Sequence, residues 1–193
     1  MHQSGRVFQS REAVWEVEMK RSILVLGIGN VLMGDEGVGV RVAEALAAEG
    51  LPPEVTLVEG GTGGFQLLEY FERFDRMVIV DASLDGHPPG TLNLLTPKYA
   101  ADFPPTLTAH DIGLKDLVDA AELLGHKPEV GLITISIADL QHLGMELSPP
   151  VLAAVPMAVA RVREVVADWL RQRDFTPVIN QKGHGTARRR RHA

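Results

Sequence analysis

Ile23-Leu-Val-Leu-Gly-Ile-Gly-Asn-Val-Leu-Met-Gly-Asp-Glu-Gly-Val-Gly-Val40 is an aliphatic run that breaks into a glycine-rich loop carrying an acidic pair and then starts a helix. Unbroken aliphatic sequence at 23–26 suits a strand covered on both faces, as in a parallel sheet, better than one with a wet side. From Val38 the apolar residues Val38, Val42, Ala45 and Leu46 return at helical spacing, with Arg41, Glu44 and Glu49 between them. The loop at 27–37 is therefore placed at the carboxyl end of a strand and the amino end of a helix, where open α/β sheets bind their ligands.

Three readings of this loop compete. A nucleotide-binding turn would hold a phosphate with glycine amides and the helix dipole. Spacing and charge oppose that reading: Gly27-x-Gly29 is followed by a long gap to Gly34, no Lys-Ser/Thr pair follows, and Asp35 and Glu36 would repel a phosphate. In the second reading the acidic pair is the functional group, and the glycines let it face a cleft. In the third, Asp35 or Glu36 only caps the helix, since an acid there satisfies free amides and the dipole.

Outward from this stretch the pattern alternates strand and helix, the mark of an α/β sheet. A second strand is predicted at 55–59, ended by Gly60-Gly-Thr-Gly-Gly64, then a short helix with Leu67, Leu68 and Phe71 on one face. A third strand at 77–80 ends at Asp81, and an edge strand at 91–95 follows the turn-rich segment 85–90. Leu114, Leu117, Val118, Ala121 and Leu124 predict a helix over 113–124, and 130–137 reads as the last strand. The final helix is expected to begin with Ser148 as N-cap and Pro149 in its first turn, with Pro156 kinking it.

A chain of 193 residues fits one domain with a proper core, here aliphatic, with 45% hydrophobic residues but only 5% aromatic. The formal charge of -6 includes the arginines at 188–191, so the folded part is more acidic still and a nucleic-acid surface is not expected. The absence of cysteine excludes a thiol nucleophile, a disulfide scaffold and Cys-based metal sites. No run approaches the ~20 apolar residues of a membrane span. Residues 1–20 read as an N-terminal extension without a secretory core, Met19 being the natural start, 21–173 as the α/β domain, and 174–193 as a disordered basic tail.

Overlaying polar residues on this topology brings Glu36, Asp81 and His110 towards the carboxyl edge of the sheet. Two carboxylates and an imidazole suit a divalent first-row metal with open coordination positions, which can polarise a carbonyl or activate water. Each residue alone has an ordinary alternative as a turn former, a cap or a surface group. Ser83 lacks the preceding glycine of a nucleophile elbow, and no His-Glu-x-x-His helix is present. His87, His126 and His142 lie in loop-like segments without partner spacing and read as solvated.

Four blocks carry a resemblance: Gly27-Ile-Gly-Asn-Val-Leu-Met-Gly-Asp-Glu-Gly-Val-Gly-Val40, Gly60-Gly-Thr-Gly-Gly64 followed by Leu67-Leu68, Ile79-Val-Asp-Ala82, and His110-Asp-Ile-Gly-Leu114. Together, in this order over 22–171, they resemble the signature of the hydrogenase maturation proteases, endopeptidases that trim the large subunit of nickel-iron hydrogenases. The resemblance implies a three-layer α/β/α sandwich with a twisted, mostly parallel sheet of about five strands. It also implies that Glu36, Asp81 and His110 recognise nickel already installed in the large-subunit precursor, so that the metal arrives with the substrate. Glu36 and Asp81 would serve catalysis. The family is often grouped with aspartic endopeptidases, yet one Asp, one Glu and one His do not form a two-aspartate dyad. Where relatives usually have Asp-Gly-Gly this chain has Glu59-Gly60-Gly61, which with Thr62 is expected to dock substrate. A cytoplasmic monomer is expected, and a non-cleaving chaperone for the nickel-loaded precursor is the alternative.

Overall fold

The structure, a computed structural model, describes residues 23–104, 114–140 and 143–172. The predicted N-terminal extension and C-terminal tail, the helix start at Gly113, and His110 and His142 lie outside the described residues.

Ile23–Ile28 forms β1, and all six residues are buried. In β3 (Arg76–Ser83) and β5 (Glu129–Ser136) every residue but the first is buried. These three strands are covered on both faces, which is why their sequences are aliphatic runs instead of alternating patterns. β2 (Val55–Gly61) and β4 (Leu92–Leu95) are partly exposed and flank them in the order β2-β1-β3-β5-β4. All neighbours are parallel except β4, which runs antiparallel to β5 as the predicted edge strand.

Alternation along β1 divides the core. Ile23 and Val25 point to a layer formed by α1 (Val38–Glu49) and α4 (Pro149–Arg171), where Val42, Leu46, Ala158 and Val162 meet Val78, Val80, Ile133 and Ile135. Leu24 and Leu26 point the other way, to α2 (Leu68–Arg73) and α3 (Leu114–Leu123), where Phe71, Leu117 and Ala121 meet Met77, Ile79 and Leu132. Each such fully buried aliphatic side chain contributes about 1.5–3 kcal/mol relative to exposure. The result is the three-layer α/β/α sandwich.

The connections from β1 to β2 and from β2 to β3 place β2 and β3 on opposite sides of β1. This reversal makes the carboxyl ends of β1 and β3 the switch point of the sheet, the place where open α/β folds leave a crevice. At the opposite edge, Arg76 pairs with Glu129 at 2.8 Å and donates to the Trp169 carbonyl at 3.0 Å, fixing the end of α4. Pro156 lies within α4 on its exposed side, and the helix runs through it without a break.

The strands outrun their apolar sequences. β1 continues through Ile28, β2 to Gly61 and β3 to Ser83. Asp81 therefore does not end its strand as expected; Asp81, Ala82 and Ser83 pair with Thr134, Ile135 and Ser136. Pairing is a backbone property, and a polar side chain does not interrupt it.

Candidate active site

After β1 the chain turns at Asn30, whose carbonyl accepts from the Met33 amide at 3.0 Å and whose side-chain oxygen accepts from the Leu32 amide at 3.1 Å. One turn of 3-10 helix, Gly34–Gly37, then leads into α1. Two glycines make this path possible. Gly29 has a φ of 141°, and a Cβ there would stand 2.0 Å from the Glu36 carbonyl oxygen. At Gly39 a Cβ would stand 2.2 Å from the Ile28 carbonyl oxygen and 2.3 Å from that of Val80. The loop thus folds back on itself, and the first turn of α1 rests on the carbonyl ends of β1 and β3.

The acidic pair divides its work. Neither acid occupies an N-cap position: those fall on Met33 and Gly37, and Asp35 and Glu36 stand within the first turn. Asp35 is 1% exposed, and its two carboxylate oxygens accept from the Ser148 amide at 2.6 Å and the Ser148 hydroxyl at 2.7 Å. Ser148 does occupy the predicted N-cap position of α4, but its hydroxyl makes no cap bond to its own helix. A charged acceptor forms the stronger bond and takes the hydroxyl away. Alongside, the Gly34 amide donates to the Gly144 carbonyl at 2.6 Å, and the Gly144 amide donates to that of Leu32 at 2.9 Å.

Glu36, by contrast, is 7% exposed, and among the described residues no side-chain hydrogen bond or ion pair engages its carboxylate. Its oxygens are not among the fully enclosed unpartnered atoms, so the carboxylate is left open to an incoming ligand. Asp81 is 2% exposed, with its Oδ1 accepting from the Ala82 amide at 2.8 Å. Strand alternation puts it on the face of Met77 and Ile79, beneath the α2 and α3 layer.

Asp81 also belongs to a band that sequence reasoning missed. Asp81 and Ser83 on β3 lie opposite Thr134 and Ser136 on β5, so all four share one face, and all are buried. The repeated placement of a polar residue at alternate positions, Asp-Ala-Ser and Thr-Ile-Ser, was the available signal. At the end of the band the Ser136 hydroxyl donates to Asp85 Oδ2 at 3.0 Å, while the His87 amide donates to Oδ1 at 3.0 Å. His87 itself is exposed, as predicted, but its Nδ1 lies 3.2 Å from Asp85 Oδ1.

Burial alone would push the Asp85 carboxyl up, but the His87 amide, the Ser136 hydroxyl and the His87 ring together hold it below the ordinary aspartate value of 3.8. A carboxyl lowered in the folded state stabilises at neutral pH, and that contribution is lost as pH falls through its lowered pKa. Ser136→Ala is expected to bring the Asp85 pKa back up, seen by NMR titration of its carboxyl carbon; an unchanged value would discount the Ser136 bond.

Of the three predicted metal-facing residues, Glu36 stands in the turn after β1 and Asp81 near the carboxyl end of β3, the two strands that flank the switch point, whereas His110 lies outside the described residues. Among the described residues, no three His, Asp or Glu side chains are grouped to hold a metal ion. Of the predicted docking residues, Glu59 and Gly60 line a cleft of about 340 Å³ together with Gln66, Glu69 and Tyr70. Gly61 ends β2, and Thr62 is exposed in the turn beyond it. His126 is exposed.

Buried acid side chains at the switch point of a three-layer sheet define an α/β protein whose chemistry would rest on carboxylates. Comparison with known proteins makes the class specific. The family described as hydrogenase maturation protease matches residues 40–165. The hydrogenase expression/formation protein HupD of Rhizobium leguminosarum bv. viciae is 37% identical over 151 residues, covering 76% of this chain and 75% of the relative. The hydrogenase maturating endopeptidase HybD from E. coli superposes with a TM-score of 0.69 at 32% identity, over 77% of this chain and 93% of the other. The NiFe hydrogenase maturation protease HybD from Thermococcus kodakarensis gives a TM-score of 0.60 at 29% identity, over 75% and 98%. The chain belongs to the hydrogenase maturation protease family. It is a peptidase that processes hydrogenase precursors. Among its described residues, no helix is long and apolar enough to cross a membrane.

Proposed function

We propose that this peptidase removes the carboxyl-terminal extension of a nickel-iron hydrogenase large-subunit precursor after nickel insertion, and that it recognises the substrate's own nickel through Glu36, Asp81 and His110. The observation that carries this reading is the buried Glu36 carboxylate without a described partner, at the same sheet edge as Asp81. Hard oxygen donors and an imidazole form a mixed set that suits a divalent first-row ion. The nickel is part of the substrate, and the protease needs no metal of its own. Support for nickel also comes from the Thermococcus neighbour, which is described as a NiFe hydrogenase maturation protease.

In peptide hydrolysis a carboxylate acting as general base takes a proton from the attacking water as its oxygen bonds to the carbonyl carbon; the C–N bond then breaks, and the proton passes to the leaving amine. Glu36 or Asp81 would serve, so the site works with one Glu and one Asp and not as a two-aspartate dyad. The cleft beside Glu59 and Gly60 is the proposed seat of the precursor's extension, and the two acids Glu59 and Glu69 at its wall favour a basic segment there. We place the reaction in the cytoplasm, with the enzyme acting as a monomer.

The test is intact mass of a nickel-loaded precursor incubated with the protein, beside a nickel-free precursor. Loss of a carboxyl-terminal peptide from the loaded form alone is the expected result. Equal cleavage of both forms would remove nickel recognition, and tight binding of the loaded form with no mass change would indicate a chaperone instead.

A further inference from the structure

We propose that Asp35 is a positioning residue for Glu36: it locks the 3-10 turn to the start of α4, so that the neighbouring carboxylate is presented in one fixed place. The proposal rests on the reading of Glu36 given above. Three successive residues of the turn are each fastened to a different part of the fold. The Gly34 amide is bonded to Gly144, the Asp35 carboxylate to both donors of Ser148, and the Glu36 backbone lies in the space left by Gly29. The segment leading into α4 is also held from the α1 side, where the Arg41 guanidinium donates to the Met145 carbonyl at 3.1 Å.

Glu36 has no such fastening of its own side chain among the described residues. Its position is set by the backbone that carries it, and the shortest side-chain bonds on that backbone belong to Asp35. Both oxygens of a 1% exposed carboxylate bonded to one residue form a two-point hinge pin, which resists rotation as well as translation. Groups that orient a metal-facing ligand without touching the metal typically matter by about 10–100-fold.

The experiment compares Asp35→Ala, Asp35→Asn, Ser148→Ala and Val162→Ala, the last a core change in α4 that lies away from the loop and controls for lost stability. Amide hydrogen exchange at Gly34, Glu36 and Ser148 is measured beside single-turnover processing of the nickel-loaded precursor. Asp35→Ala is expected to speed exchange at all three amides while β3 stays protected, and to slow processing about 10–100-fold. Asp35→Asn recovers most of both, because an amide can accept from the Ser148 N–H and donate to its hydroxyl oxygen. Val162→Ala loses thermal stability without faster exchange in the turn. Unchanged exchange at Glu36 in Asp35→Ala, or a processing loss no larger than that of Val162→Ala at equal Tm, would overturn the proposal. Should Asp35→Ala not fold, Ser148→Ala decides, since it deletes one bond and leaves the backbone bond in place: faster exchange at Glu36 supports the proposal, and wild-type exchange refutes it. A Glu36→Gln protein that cleaves the nickel-loaded precursor at the wild-type rate takes Glu36 out of nickel recognition by itself, while the exchange result stands apart from it.

Discussion

Glu36→Gln is expected to slow processing of the nickel-loaded precursor by at least about a hundredfold, the lower range for a lost general base or charged ligand. The substitution keeps size and shape, so its effect isolates the charge. Stability should hold, because the substitution is isosteric and the wild-type carboxylate makes no hydrogen bond or ion pair among the described residues that the amide would lose. A time course by intact mass and a thermal unfolding curve measure the two quantities together. Loss of activity with an unchanged Tm is the expected pair. Wild-type processing by the glutamine variant would take Glu36 out of the site, and lost activity with a collapsed Tm would make it a structural residue.

The second large effect is expected at Gly39, and there two terms of opposite sign must be weighed. Glycine within a helix costs roughly 0.5–1 kcal/mol relative to alanine, so propensity alone predicts that Gly39→Ala stabilises α1. The new methyl would stand 2.2 Å and 2.3 Å from two carbonyl oxygens that belong to the central strands. Backbone in the middle of a sheet cannot give way as a flexible side chain can, and overpacking of this kind costs about 1–3 kcal/mol or more. The clash wins. At ~2–4 °C per kcal/mol for a domain of this size, a Tm loss of several degrees follows. Processing should also fall even below the melting range, since α1 can relieve the clash only by lifting away from β1 and β3, and the 3-10 turn bearing Glu36 moves with it. A Gly39→Ala protein as stable and active as wild type would mean that the close approach is not required.

Much of the molecule is legible in single residues. Aliphatic runs announced β1, β3 and β5 because burial on both faces leaves no polar alternation, and helical spacing announced α1, α3 and α4. Strand ends were harder to read, and Asp81 shows why: its pairing with Thr134 depends on a strand more than fifty positions away, and its own polarity suggests a stop. Glu36 and Asp81 could be named from the sequence since both follow strands whose order could be inferred. The alternate polar positions at 81–83 and 134–136 were visible strand by strand, but the band they form through Ser83, Thr134 and Ser136 exists only when β3 and β5 lie side by side.

The sequence by itself determined the strand, glycine loop and helix at 23–40, the α/β alternation and the acids available at the carboxyl edge, all of which depend on local periodicity and backbone preference. What only the tertiary structure decided is which member of the Asp35-Glu36 pair is spent on the fold. Both are acids, adjacent, and nearly equal in every local property. Asp35 finds Ser148, 113 residues further along the chain, and two charge-assisted bonds commit it to holding the loop. Glu36 is left buried beside the switch point without a described partner, and that difference arises from packing that no window of sequence contains.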